Sequence, residues 1–395
     1  MAVPTLRVAI VGAGMIGRAH ARAFRALEAS FQPPPVRIEL TVVADADGPL
    51  AEDARSRWEF ERTATHWQAV AEAKDVDVAV VALPNFQHGE AVNELLQRGK
   101  NVLCEKPLAS TLDDSLAMLR SAERAGVVHG VGFNLRRLPA IAAIHQLIDD
   151  GTLGEIRQYS ARYLTDYAAS MQTPFTWRYQ RKLAGSGALG DIASHVIDLG
   201  RFLVSDIARV DGAALATRIT ERFVPTGHVT GHAQAATTGE KRTVDTDDLG
   251  SFTATFDSGA VGAVRFSRIA TGYRNSAAFE IVGEHGSVEF DTERAAEFQL
   301  YVEGDDASVN GSRRVVVGPE HPYFSQVTSF PVAGVGYGYS ETYLAQAYEF
   351  VRAIAEQRPY SPGFGDGLAV VEVCEAVLQS AEQGVAITLG GVAVG

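Results

Sequence analysis

The sequence is short of cysteine, of positive charge and of long apolar runs. Cys104 and Cys374 are its only cysteines, which excludes a disulfide framework and a cysteine-rich zinc site and suits a reducing compartment. The 35 Lys and Arg against 48 Asp and Glu leave a net charge of −13, which disfavours nucleic acid and anionic membranes as partners. No stretch reaches the roughly 18 apolar residues of a membrane helix, and the N-terminus lacks a signal-peptide pattern. We therefore expect a soluble cytoplasmic protein.

The first 134 residues alternate apolar strand patterns with helical patterns. Strands are predicted at 6–11, 37–44, 77–83, 101–104 and 127–133, and helices at 15–30, 49–57, 87–98 and 111–125. Near-continuous apolar strands separated by helices predict a parallel sheet that is covered on both faces. The chain, with 46% hydrophobic residues, is long enough for two domains.

The pattern changes from about residue 155 onward. Partial alternation bounded by Gly and Asp predicts a large open, mainly antiparallel sheet with one uncovered face. Residues 215–247 are polar and predict a long loop, and two helices are predicted to end the chain. The predicted domains are 1–134 and 135–395, with the last helices packing back on the first domain. An uncovered sheet face also predicts a homodimer or homotetramer.

The stretch GAGMIG directly follows the first predicted strand and opens the first helix. Gly12 permits a tight turn, Gly14 lets the backbone approach a pyrophosphate, and Gly17 allows close helix–strand packing. This predicts a Rossmann dinucleotide-binding domain, with Met15 and Ile16 also contacting the cofactor at the helix N-terminus. The alternative is a glycine turn that serves packing only.

The second predicted strand ends in VVADADG. Asp45 there can accept the ribose hydroxyls of NAD and would repel the additional phosphate of NADP, with Asp47 as a rival candidate. The alternative for an aspartate at this place is to cap the following helix. We predict NAD in preference to NADP.

Further polar residues stand where other predicted strands end, in LPNFQH (83–88), CEKP (104–107) and GFNLRR (132–137). Ligands of a doubly wound sheet bind beyond the carboxyl ends of its strands. Lys106 could therefore hold a substrate hydroxyl, although a solvated loop lysine is the alternative. Pro84, Asn85 and His88 are cofactor candidates, and the alternative for Asn85 and His88 is a place in a turn and at a helix start.

Asp191 and His195 are four residues apart after the glycine-rich stretch GSGALG. Apolar residues recur beside them with helical spacing, at Ile192, Val196, Leu199 and Leu203. The pair is either a proton-handling unit or an ordinary surface contact at a helix start. His228 and His232 also have a metal-like spacing, but we interpret them as solvated loop residues and expect no metal.

Taken together, GAGMIG, Asp45, PNFQH, EKP and the downstream DxxxH occur in the order found in the family of glucose–fructose oxidoreductase and inositol dehydrogenase, which the chain resembles over nearly its whole length. The resemblance implies an NAD(P)-dependent oxidoreductase, with no metal, that acts on a sugar, an anhydrosugar or a cyclitol. It implies that Lys106, Asp191 and His195 surround the reacting carbinol. It also places Glu105 and Asn85 near the nicotinamide ribose, Asn134 and Arg136 at the substrate pocket, and Trp177 and Arg178 at the cofactor or substrate. The family usually has GGG where this chain has Gly185-Ser186-Gly187.

Two other functions share this fold. One is an NAD-dependent glycosidase or eliminating enzyme that oxidises its substrate only transiently, and the other is a non-enzymatic NAD-binding sensor. The presence of Lys106, Asp191 and His195 argues against a sensor, which needs no proton relay. Family members that act on a sugar 3-hydroxyl, such as levoglucosan dehydrogenase, and inositol dehydrogenase are equally good guides to the substrate.

Overall fold

The computed structural model describes residues 3–227, 229, 231, 232, 234–304, 306 and 308–390. The strands up to residue 134 are β1 (Thr5–Val11), β2 (Arg37–Ala44), β3 (Arg62–Ala64), β4 (Val78–Val81), β5 (Asn101–Cys104) and β6 (His129–Val131). The helices in this part are α1 (Met15–Ser30), α2 (Gly48–Trp58), α3 (Gln68–Glu72), α4 (His88–Gln97) and α5 (Leu112–Ala125).

The strands that follow are β7 (Ile156–Leu164), β8 (Ile207–Ala216), β9 (Glu221–Pro225), β10 (Thr237–Thr243), β11 (Leu249–Phe256), β12 (Val261–Ser267), β13 (Ser276–Gly283), β14 (Gly286–Asp291), β15 (Glu297–Val302), β16 (Arg313–Val316) and β17 (Ile387–Thr388). The helices are α6 (Pro139–Asp149), α7 (Arg181–Ala184), α8 (Ser194–Leu203), α9 (Phe324–Val327), α10 (Tyr339–Ala355) and α11 (Phe364–Gln383). A π-helical turn, Leu189–Ala193, directly precedes α8.

The chain divides into two compact units. The first consists of the chain up to Asn134 together with Tyr339–Val371, so its second boundary lies inside α11. Within the described residues it holds a six-stranded sheet in the order β3-β2-β1-β4-β5-β6, with parallel neighbours. This is the strand order of a Rossmann fold, which confirms the predicted α/β class. All four residues of β4 are buried, as a strand covered on both faces requires.

Helix α10 belongs to the first unit, although 200 residues of sequence separate it from β6. It packs against α1. The Phe31 ring stacks on Tyr348 with centroids 3.7 Å apart, and the His20 ring meets Tyr343 edge-on at 4.9 Å. These aromatic contacts attach the distant segment to the nucleotide-binding half of the chain.

The second unit is built on a nine-stranded sheet, counted over the described residues, in the order β16-β15-β14-β13-β7-β12-β11-β8-β17. The β7–β12 pair is parallel, and the other paired neighbours are antiparallel. Helix α8 packs against β7 and β13, where the Tyr159 hydroxyl donates to the Val196 carbonyl at 2.7 Å. Alternate residues of β11 and β12 remain exposed on one face, which agrees with the predicted open, mainly antiparallel sheet.

The predicted loop at 215–247 is wrong at 221–225 and at 237–243, which are strands. Strands β9 and β10 form a separate two-stranded antiparallel hairpin there. Six of the seven residues of β10 are exposed, so this strand needs no apolar face. Strand β9 buries only Arg222, a charged residue, so neither strand of the hairpin shows the hydrophobic alternation that sequence analysis depends on.

Candidate active site

The glycine-rich loop between β1 and α1 has the geometry that close ligand approach requires. Gly12 has φ +99°, and a Cβ atom there would lie 2.4 Å from the Ala82 carbonyl oxygen. A Cβ atom on Gly17 would lie 1.7 Å from the Gly12 oxygen. Around Gly14, by contrast, no described atom lies within 4 Å of the Cβ position. Close packing thus requires glycine at positions 12 and 17. At Gly14 the backbone is accessible to a pyrophosphate.

The N-terminus of α1 also suits an anion. Its first turn carries no acidic residue, and none of the described side chains caps it at Gly14. Met15 is 58% exposed at this end, and Ile16 is half-buried. The first N–H groups of a helix and its dipole attract phosphate, so this end fits the dinucleotide that the sequence predicts.

Asp45 and Asp47 have different roles after β2. Asp47 is the N-cap of α2, where its carboxylate accepts from the Leu50 N–H at 3.1 Å. Asp45 lies at the strand end, half-buried, and one carboxylate oxygen accepts from the Ala13 N–H in the glycine loop at 2.7 Å. Of the two rivals, Asp45 is therefore the one that is tied to the nucleotide loop.

The residues that follow β4 divide into an accessible pair and a buried histidine. Pro84 and Asn85 are half-buried at a short helical turn, where they stay cofactor candidates. The His88 ring is fully buried, with Nε2 2.9 Å from the Leu83 oxygen and Nδ1 3.2 Å from the Pro107 oxygen. Burial lowers the pKa of His88. This ring joins the ends of two strands, and its geometry lends no support to the predicted cofactor contact.

The EKP segment is held by a histidine that the sequence analysis did not single out. Glu105 is buried, and its Oε1 lies 2.8 Å from Nε2 of His20 on α1. Its Oε2 accepts from the Lys106 N–H at 3.2 Å, and Lys106 is half-buried. Gly132 leaves the space that this carboxylate occupies, since a Cβ there would lie 2.7 Å from Oε1. The Glu105 carboxylate is therefore fixed next to the candidate lysine.

The two predicted substrate residues of GFNLRR are buried, and each has a partner in its own unit. The Asn134 amide donates to the Thr342 hydroxyl at 2.7 Å. Arg136 forms a bidentate ion pair with Asp198 of α8, with bonds of 2.8 and 2.6 Å. A buried, bidentate pair fixes geometry, so Arg136 anchors α8 in the second unit. Their contact with substrate stays a prediction.

Asp191 and His195 lie where the π-helical turn passes into α8. The predicted apolar stripe is confirmed, because Ile192, Val196, Leu199 and Leu203 are each at most 6% exposed. The regular helical spacing predicted for the pair is wrong, since Asp191 lies in the π-helical turn and His195 in the first turn of α8. His195 is 3% exposed, which excludes an ordinary surface pair. Isolated π-helical turns are frequent at functional sites.

Tyr167 is a candidate site residue that the sequence analysis did not single out. Its hydroxyl donates to Oδ2 of Asp191 at 2.5 Å. Burial and the Asp191 charge raise the pKa of Tyr167 well above its ordinary value, so the hydroxyl keeps its proton. The carboxylate of Asp191 is thereby oriented by a neutral donor.

Trp177 and Arg178 lie in a short helical turn of the second unit. The Arg178 guanidinium lies over the Trp177 ring at 4.5 Å, and it donates to the Gly231 carbonyl at 3.4 Å. His232 stacks on Tyr167 with ring centroids 3.8 Å apart, so it is not the solvated loop residue that we predicted. His228 lies outside the described residues. The tip of the β9–β10 hairpin is thus attached to the Tyr167–Asp191 pair.

Two further sequence expectations concern metal clusters and membrane spans among the described residues. No group of three His, Cys, Asp or Glu residues among the described ones is arranged to hold a metal ion. Cys104 and Cys374 are both buried and reduced. No helix within the described ranges is long and apolar enough to cross a bilayer.

Comparison with known proteins decides the family. A family model described as an oxidoreductase family with an NAD-binding Rossmann fold matches residues 6–133, and that of the GFO/IDH/MocA C-terminal domain matches residues 141–289. Levoglucosan dehydrogenase of Pseudarthrobacter phenanthrenivorans is 39% identical over 381 residues, which are 95% of this chain and 96% of that protein. The chain belongs to the Gfo/Idh/MocA oxidoreductase family. The predicted resemblance is confirmed.

Other members of the Gfo/Idh/MocA family are also similar along their whole length. Inositol 2-dehydrogenase of Rhizobium meliloti is 27% identical and covers 95% of this chain and 97% of its own. The solved structure of levoglucosan dehydrogenase in complex with NADH is 37% identical, with a TM-score of 0.92, and covers 98% of this chain and 100% of its own. The chain is therefore an oxidoreductase of an NAD-binding family whose named members include sugar and cyclitol dehydrogenases.

Proposed function

We propose that this chain oxidises a secondary hydroxyl of a sugar, an anhydrosugar or a cyclitol, with NAD as the hydride acceptor. The observation that carries the proposal is the buried His195, four residues after Asp191, whose carboxylate is oriented by the Tyr167 hydroxyl. An imidazole that follows a fixed carboxylate by one helical turn suits general base catalysis. The full-length likeness to levoglucosan dehydrogenase supports the same chemistry.

The three proton-handling residues have distinct proposed roles. His195 takes the proton of the substrate hydroxyl, because histidine is the side chain that most often serves as a general base near neutral pH. Asp191 orients the substrate or the imidazole and stabilises the positive charge that develops there. Lys106 donates a hydrogen bond to the reacting oxygen and stabilises its alkoxide character.

The cofactor is held by the first unit in this proposal. Bound NAD supplies the carbon that accepts the hydride. Gly14 and the N-terminus of α1 receive the pyrophosphate, and Asp45 accepts the ribose hydroxyls, which favours NAD over NADP. Pro84, Asn85 and Glu105 of the first unit are further candidates for cofactor contact, and the half-buried Trp177 and Arg178 of the second unit are candidates for cofactor or substrate contact.

The substrate is proposed from similarity, with levoglucosan placed before the inositols. Levoglucosan dehydrogenase is the more similar relative, at 39% identity against 27% for inositol 2-dehydrogenase. The test is NADH formation measured by absorbance over a panel of anhydrosugars, aldoses, glycosides and inositols, with NADP as a parallel cofactor. We expect the highest kcat/KM for levoglucosan with NAD. Absence of NADH with every panel member would reject the proposal.

The same assay separates the two other functions. Product formation with catalytic amounts of NAD, and without net NADH, would identify a glycosidase or an eliminating enzyme. Tight binding of NAD and a sugar without any turnover would identify a sensor. A glycosidase or an eliminating enzyme would still use Lys106, Asp191 and His195 for proton handling. A sensor would give these residues no such role.

We also propose a homo-oligomer in a reducing, cytoplasmic compartment. The exposed face of the nine-stranded sheet supports association, since it carries a cavity of about 690 Å³ lined by small and charged residues such as Ser160, Thr253, Ala263 and Glu280. The sparse, buried cysteines support the compartment.

A further inference from the structure

We infer that Asp247 is a positioning residue for Asp191, acting through the backbone of the glycine-rich turn. The inference rests on the proposed function only in its kinetic consequence. Asp247 is distant in sequence from the DxxxH motif, and it lies in the polar stretch DTDD that the family motifs leave without a role.

The Asp247 carboxylate binds the turn at two successive places. Its Oδ1 accepts from the Gly187 N–H at 2.6 Å, and its Oδ2 accepts from the Leu189 N–H at 2.8 Å. Between them, the Ala188 N–H donates to the Asp247 backbone carbonyl at 2.9 Å. Three consecutive N–H groups at the start of the π-helical turn are therefore satisfied by one residue about 60 positions away.

Asp191 is hydrogen-bonded to the same turn residue that Asp247 binds. The Asp191 N–H donates to the Gly187 carbonyl at 3.0 Å, and Gly187 is the residue that Asp247 holds. A Cβ atom on Gly187 would lie 1.9 Å from the Asp247 oxygen, so the two backbones touch without space for a side chain. Ser186, where the family usually has glycine, adds a hydroxyl that accepts from the Gly190 N–H at 2.9 Å.

Asp247 is itself held rigidly from both sides. Thr246 donates to the Arg178 carbonyl at 3.1 Å, and Asp248 forms a buried ion pair with Arg268 at 2.9 Å. Asp247 is 7% exposed, and its burial raises the pKa of the carboxyl while the turn N–H groups oppose that shift. A buried, anchored acceptor of this kind fixes the position of the helix start that it caps.

Asp245 provides a matched control two residues away. Its carboxylate accepts from the Arg181 N–H at 2.6 Å, and so it performs the same kind of contact for α7. Helix α7 carries none of the three proton-handling residues. Asp245 is exposed, whereas Asp247 is buried, so Asp245→Asn controls for the loss of a carboxylate contact with a helical turn. The hydrogen-exchange measurement below controls for the burial of Asp247.

We expect kcat to fall further when a substitution removes more of the acceptor oxygens of the Asp247 carboxylate. Because a displacement of about 1 Å can cost on the order of 10²-fold in rate, kcat should fall roughly tenfold in Asp247→Asn and roughly 10²-fold in Asp247→Ala. The Kd of NADH, measured by fluorescence, should stay within about twofold, because the cofactor residues proposed for the first unit are unchanged. Asp245→Asn should keep kcat within about twofold.

A coupling experiment tests the route through Asp191. In an Asp191→Ala background, Asp247→Asn should lower kcat by less than about twofold, because residues that act through one another are non-additive. An undiminished tenfold loss in that background would overturn the inference. So would equal losses in Asp245→Asn and Asp247→Asn.

Amide hydrogen exchange gives a readout that is independent of turnover. Peptides covering residues 185–195 should exchange faster in Asp247→Ala than in the parent chain, at a temperature where both are folded. Unchanged exchange would overturn the inference even if the enzyme is active. If the parent chain oxidises no polyol, faster exchange would still support the anchoring, and the failure would belong to the proposed function.

Discussion

His195 combines nearly complete burial with a position one turn after an oriented carboxylate. A solvated histidine would have no such neighbour. His195→Ala removes the proposed base, and general base catalysis typically supplies 10²–10⁴-fold, so kcat should fall by roughly that factor. The Kd of NADH should be unchanged, since His195 is not among the residues proposed to hold the cofactor. Turnover close to that of the parent chain would reject His195 as the base.

Tyr167 is expected to act through the orientation of Asp191. Tyr167→Phe removes a hydrogen bond to a carboxylate, which contributes on the order of 1.5–3 kcal/mol, and kcat/KM should fall about tenfold or more. Tyr337→Phe is the control, because that hydroxyl also lies in the second unit but donates to the Ala295 carbonyl instead. Equal effects of the two changes on kcat/KM would contradict a specific role for Tyr167.

Asp45 is expected to determine the choice between NAD and NADP. Asp45→Asn keeps an acceptor for the Ala13 N–H but removes the charge that repels a 2′-phosphate. The KM for NAD should rise about tenfold, from the loss of a charge-assisted hydrogen bond, while the KM for NADP should fall. The measurement is steady-state kinetics with both cofactors. Asp47→Asn, at the cap of α2, should leave their ratio unchanged.

Among the elements, those with a strong apolar period were predictable and those without one were not. Helix α1 and strands β2 and β5 have the predicted bounds, because each has a buried face. The π-helical turn was missed because one additional residue per turn leaves the stripe of α8 intact. The β9–β10 hairpin was missed because it buries little. Tyr167 and Asp247 could not be assigned since hydrogen bonds across 24 and 58–60 residues leave no local pattern.

Helix α4 begins at His88, and the burial of this histidine makes the free energy of unfolding depend on pH. Burial lowers the pKa of His88 in the folded state, whereas the unfolded chain binds a proton below about 6.5. The unfolded state therefore holds more protons as the pH falls below that value, and the free energy of unfolding decreases there but not above it.

This dependence can be measured by urea unfolding at about pH 7.5 and about pH 5.5. His88→Asn should be less stable than the parent chain at the higher pH, since a buried hydrogen-bonded ring is lost. Between the two pH values its free energy of unfolding should also decrease less than that of the parent chain. The reason is that the variant binds up to about one proton fewer on unfolding. His129 and His145, whose pKa values burial also lowers, should keep a remaining dependence. An unchanged pH slope would contradict the assignment to His88.

At the scale of the whole molecule, the exposed sheet face is expected to bind a second copy. Thr253 is exposed on β11 of this face, and Thr238 is exposed on the β9–β10 hairpin. Each hydroxyl donates to a neighbouring strand, at 3.2 and 3.3 Å, so the two positions are matched. Thr253→Arg should lower the oligomer fraction in light scattering, because it places charge inside the interface, whereas Thr238→Arg should not. A monomeric parent chain would reject this association.

The first unit is assembled from two parts of the chain, the segment up to Asn134 and the segment Tyr339–Val371. During synthesis, the aromatic partners of Phe31 and His20 on α10 leave the ribosome only after residues 135–338 of the second unit. The nascent first unit must therefore wait, with apolar surface exposed, while strands β7–β16 of the second unit are translated. A gene truncated after residue 134 would encode a half that never receives its closing helix, so fragments for study should retain both segments, joined by a linker in place of the inserted unit.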